Sequence, residues 1–150
     1  MTDATFEKLD PSEQPLYGPR RLILCGFDPA ARKEFQKLIS VAEVKDLDCL
    51  WAEAHEGEMQ LKLLFEKDLK APGDTGQARQ EVAYPRAVIA GGLMQKEFHL
   101  LMNLSREVGM PPTLWAVLTP ISSTWTLSAL IKELSAERAA MAARKQQQPR

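Results

Sequence analysis

The sequence predicts an α/β fold: a four-stranded, mainly parallel sheet flanked by helices and built from two similar βαβα halves. Three observations lead there. Short apolar runs alternate with stretches of helical periodicity, two of those runs end at glycines, and related anchor sequences recur about 64 residues apart. An α+β arrangement with antiparallel strands is the alternative, because both second strands are short.

A chain of 150 residues suits one domain that buries roughly 70% of its unfolded surface. That domain is expected over 20–141, as halves 20–71 and 85–141. An irregular leader, 1–19, precedes it, and a flexible tail, 142–150, follows.

The leader mixes Pro11, Pro15, Gly18 and Pro19 with isolated apolar positions and sustains no period. Arg21-Leu22-Ile23-Leu24-Cys25 reads as a strand buried on both faces. Asp28-Pro29 is a helix start, with an acidic cap and a proline where its missing N–H costs nothing. Phe35, Leu38, Ile39 and Ala42 form the inward stripe of that helix. Asp48-Cys49-Leu50-Trp51 is a short second strand. A helical pattern follows from Gly57, with Leu61, Leu64, Phe65 and Leu69 on one face, and Pro72-Gly73 ends it.

Residues 71–84 connect the halves. Ala87-Val88-Ile89-Ala90 is the third strand, starting after Pro85. Beyond Gly91-Gly92 the next helix carries Met94, Phe98, Leu101, Met102 and Val108 inward, with Leu104 near that face. Leu114-Trp115-Ala116-Val117-Leu118 is the fourth strand, and Thr119-Pro120 marks its end. Thr124 or Thr126 caps the last helix, where Leu127, Leu130, Ile131, Leu134 and Met141 are inward candidates.

The recurrence is carried by Arg21 to Gly26 against Arg86 to Gly91, by Lys33-Glu34-Phe35 against Lys96-Glu97-Phe98, and by Leu50-Trp51-Ala52 against Leu114-Trp115-Ala116. These offsets of 65, 63 and 64 residues predict an internal duplication and place Trp51 and Trp115 at equivalent positions. Symmetric halves give the strand order 2-1-3-4. In a parallel sheet a ligand crevice then opens at the carboxyl ends of the two central strands. Gly26, Asp28, Gly91, Gly92 and Thr119 are the ligand-binding candidates there.

Composition narrows the function classes. The 19 basic and 20 acidic side chains leave a net charge of −1, which argues against nucleic acid or an anionic membrane as partner. No apolar stretch approaches about 18 residues, and the start has no signal-peptide pattern. The expectation is a cytoplasmic protein with two buried cysteine thiols. No GxGxxG or Walker pattern is present, and neither His55 nor His99 sits at metal-ligand spacing. No catalytic residue, metal site or cofactor is assigned. The densest polar and aromatic cluster, Thr119 to Thr126, makes Ser122, Ser123, Thr124 and Trp125 the interaction candidates.

One resemblance rests on Ala116-Val117-Leu118-Thr119-Pro120, Trp125-Thr126-Leu127, Leu130-Ile131-Lys132-Glu133-Leu134 and Glu137-Arg138. Over 86–141 the chain resembles a bacterial family of small proteins known only as a domain of unknown function. Ser122, Ser123 and Thr124 stand where that pattern often has an asparagine. The resemblance implies no activity, substrate or cofactor. The functional expectation is a non-enzymatic regulatory or protein-interaction domain, with an unidentified protein partner or a homodimer. The alternative, which leaves enzymatic activity open, is a small-ligand or nucleotide-binding protein using the glycine loops.

Overall fold

The computed structural model describes residues 14–69 and 84–147. Residues 1–13 of the leader, the Pro72-Gly73 stop and most of the connection between halves lie outside them. The chain runs β1 (Arg21–Cys25), α1 (Pro29–Ala42), β2 (Asp48–Trp51), a 3₁₀ turn (Ala54–Glu58), α2 (Leu61–Glu66), β3 (Ala87–Gly91), α3 (Gln95–Glu107), β4 (Leu114–Val117), a second 3₁₀ turn (Ser122–Thr124) and α4 (Leu127–Gln147). The strands form one sheet in the order β2-β1-β3-β4.

Local chemistry sets the helix ends. Asp28 Oδ1 accepts from the Ala31 amide at 2.8 Å, and Pro29 occupies the first turn. Glu43 closes α1 in the left-handed region at φ 60°. Thr126, one of the two expected caps, accepts from the Ala129 amide. The last helix extends to Gln147, beyond the expected domain limit, and Ala136 to Lys145 are all exposed.

The apolar strands bury both faces of the sheet. Ile23, Leu50, Ile89 and Leu114 pack with Leu61, Phe65, Leu127 and Ile131 on the α2/α4 side. Leu22, Leu24, Val88 and Ala90 pack with Phe35, Leu38, Phe98 and Leu101 on the α1/α3 side. Two inward assignments fail at the helix ends, since Val108 is 64% exposed and Met141 is 64% exposed.

The sheet is mixed. β1 pairs parallel with β2 and β3 parallel with β4, whereas the central β1–β3 pair is antiparallel, with Ile23 opposite Ile89. In an all-parallel 2-1-3-4 sheet, right-handed crossovers would put α1 and α3 on opposite faces. Reversing one half brings both helices to the same face, where Trp115 meets Phe35 and Phe98 at ring-centroid distances of 6.1 and 5.8 Å.

The halves repeat with a constant spacing of 66 residues: strands begin at 21 and 87 and at 48 and 114, helices at 29 and 95 and at 61 and 127. The sequence triplets are therefore not structural counterparts. Trp51 pairs with Leu24 in register and Trp115 with Val88, so Trp51 corresponds to Val117 and Trp115 to Cys49. Reciprocal bonds join the halves on the α2/α4 side, where Leu61 N donates to Trp125 O at 2.9 Å and Leu127 N to Met59 O at 3.0 Å.

Candidate functional site

The antiparallel seam separates the residues expected to share a crevice. Gly26 and Asp28 lie at one end of the sheet, while Gly91, Gly92 and Thr119 lie at the other. Each glycine turn instead presses on the chain entering the opposite half. A Cβ on Gly26 would meet Arg86 N and the Pro85 carbonyl group at 2.8 Å, and one on Gly92 would collide with the backbone of Pro19 and Arg20. Both residues also have positive φ, 76° and 73°, which glycine adopts without a side-chain penalty.

At the Gly91-Gly92 turn, amides that an anion would need already have partners. Gly92 N donates to Tyr17 O, Gln95 N to Gln14 O, and Met94 N to Glu97 Oε1. Asp28 is occupied as the α1 cap. Glu97 also forms a two-pronged pair with Arg20, at 2.8 and 2.9 Å. That hydrogen bonding holds the Glu97 carboxyl below the ordinary glutamate range, against the opposing effect of burial; the Met94 amide and the Arg20 charge add to the lowering.

The Thr119–Trp125 loop uses its side-chain hydroxyls internally. Thr119 N donates to Ser122 Oγ and Ser122 N to Thr119 Oγ1, both at 3.0 Å. Ser123 Oγ donates to Pro120 O and Thr124 Oγ1 to Ile121 O. Ser122 and Ser123 are buried, and Trp125 packs half-buried against the α2/α4 core. Ile121, 72% exposed, is the large apolar side chain this loop offers outward, beside exposed Pro120 and Thr124.

The two thiols are withdrawn from solvent. Burial pushes both cysteine thiols up to about 12, well away from a nucleophilic thiolate at neutral pH. Cys25 faces the α2/α4 core and Cys49 the α1/α3 core, so the sheet stands between them. Among the described residues no group of three His, Cys, Asp or Glu side chains could hold a metal. His55 and His99 are exposed. Beside His55, Glu56 is 2% exposed, accepts from Glu53 N and pairs with Lys67 Nζ at 2.7 Å.

The surface feature that the sequence pattern did not disclose is an open groove of about 550 Å³ between α1 and α3. Leu38, Val41, Leu104, Val108, Met110 and Pro111 supply its apolar lining, with Glu34 and Lys37 as charged members. Val41 is 73% exposed. The signal was its place off the Phe35/Leu38/Ala42 stripe, where an outward valine has no core to serve.

Residues 86–141 match the model of a family described as Domain of unknown function (DUF3783). The match spans β3, α3, β4, the second 3₁₀ turn and most of α4. No curated protein and no solved structure matches the chain. No helix among the described residues is long and apolar enough to cross a membrane.

Proposed function

We propose that this chain is a non-enzymatic protein-interaction domain whose α1/α3 groove receives an amphipathic helix of a partner protein. The observation that carries the reading is the collection of Val41, Val108 and Met110 around one solvent-open apolar groove. Helical partners dock in such grooves through apolar anchors at spacings of three, four and seven residues. Glu34 and Lys37 give the same groove charged contacts of both signs. The Thr119–Trp125 loop contributes recognition only through Ile121 in this reading, because its hydroxyls bond within the loop.

The committed thiols and the exposed histidines support a binding role over catalysis. The small-ligand reading draws less support, because the glycine turns lie at opposite ends of the sheet and the amides of Gly92, Met94 and Gln95 are bonded. A cytoplasmic setting fits thiols held on opposite faces of the sheet, and an internal duplication fits the constant 66-residue spacing.

The test compares wild type with Val41→Asp, Val108→Asp and Ile121→Asp by affinity isolation followed by titration of the isolated partner. Both groove variants are expected to keep stability within about 0.5 kcal/mol, as surface changes do. They should weaken partner binding at least about tenfold, equivalent to about 1.4 kcal/mol. Folded groove variants that bind every partner like wild type overturn the proposal; selective loss in Ile121→Asp moves recognition to the loop.

A further inference from the structure

The two edges of the sheet differ in how they meet solvent. On β4, Leu114 N donates to Arg86 O at 2.9 Å and Leu118 N to Ala90 O at 2.8 Å. Backbone groups alternate sides along a strand, so Leu114, Ala116 and Leu118 face β3 while Trp115 and Val117 turn their N–H and C=O outward. Among the described residues, no strand pairs with that outer side.

Sheet edges are ordinarily guarded by charge, proline, a bulge or a covering element. The β2 edge follows this pattern: Asp48 stands on the strand with its side chain 60% exposed, and Lys45 and Asp46 precede it. The β4 edge lacks such charge. From Val108 to Ile131 the chain holds 24 residues without a charged side chain, although 26% of the whole sequence is charged.

We infer that β4 pairs antiparallel with β4 of a second copy, joining two sheets into one of eight strands. The outward groups of Trp115 and Val117 are two residues apart, so a two-fold axis at Ala116 sets Trp115 of each copy against Val117 of the other. The pairing forms roughly four backbone hydrogen bonds. Ala116 then faces its own copy in a non-hydrogen-bonded pair, and its methyl group leaves room for that approach. The uncharged run means that no like charges oppose one another across the ladder. This contact uses the sheet edge and is independent of the α1/α3 groove.

Sedimentation equilibrium across a concentration series tests the inference alongside two variants. Val117→Pro removes one outward N–H per copy while sparing the β3 ladder, a placement an edge strand tolerates. The wild type should show a monomer–dimer equilibrium, and Val117→Pro should weaken it at least about tenfold. Ala116→Cys should form an intermolecular disulfide through the introduced thiols under mild oxidation, since such pairs lie about 4.5 Å apart between Cα atoms, within disulfide reach. This readout also decides the matter if Val117→Pro fails to fold. A wild type that stays monomeric to about 1 mM, a dimer unchanged by a folded Val117→Pro, or a dimer in which Ala116→Cys does not cross-link overturns the inference.

Discussion

At the scale of single residues, the glycines separate two costs that are usually confounded. Gly92 combines a positive φ with neighbouring backbone inside the space a methyl group would need, whereas Gly109 has φ 77° and nothing within 4 Å of that space. Gly109→Ala should therefore show the conformational cost alone, about 1 kcal/mol. Gly92→Ala and Gly26→Ala should cost about 3 kcal/mol or more, because strain and steric displacement add. Denaturant unfolding of the three variants checks the order; equal losses would mean that close approach contributes nothing.

Glu97 provides a second residue-scale prediction. Its folded carboxyl titrates below the ordinary range, so its stabilisation is complete above the unfolded value of about 4.3 and is lost as pH falls through the folded value. Glu97→Gln should destabilise at neutral pH by about 1 kcal/mol, a modest figure because the pair is partly solvated. The difference from wild type should shrink with acidification. Stability measured from pH 7 to pH 3 tests this, and a difference that grows toward acid contradicts it.

At the scale of elements, the sequence was legible where one signal dominated. The buried runs of β1 and β3 and the Asp28-Pro29 start of α1 needed only local chemistry. Val108 and Met141 depart from the expected inward stripe because periodicity continues past the point where a helix leaves the core. Glu56 was hidden for the opposite reason: a charged residue in a polar run signals exposure until the chain folds a cation over it. Its burial predicts that Lys67→Met will cost about 3 kcal/mol by leaving a carboxylate without its cation. Unfolding measurements should show the Glu56→Gln/Lys67→Met double variant recovering part of that loss; strictly additive losses would refute the coupling.

At the scale of the whole molecule, the strand order followed from symmetry, but the direction of the seam did not. Sequence patterns mark which side of a helix is apolar and leave open which face of the sheet receives it. That one undetermined choice decides whether α1 and α3 share a face, and hence whether the glycine turns meet. The expected crevice consequently joins residues from opposite ends of the sheet, while the α1/α3 groove, which exists because those helices are neighbours, is marked in the linear sequence only by Val41 lying off the inward stripe. The groove and β4-edge experiments address surfaces created at this scale.

The antiparallel seam around Ile23 and Ile89 has the geometry by which two separate chains commonly associate. Here both partners belong to one polypeptide, so their encounter is governed by an effective concentration in place of a bulk one. Covalent linkage of two associating surfaces typically supplies values in the millimolar range. At about 1 mM, an association free energy of about 4 kcal/mol already balances the closed and open seam. Contacts across the seam can thus be individually modest and still keep it closed, whereas the same kind of ladder at the β4 edge, having no tether, responds to the amount of protein present.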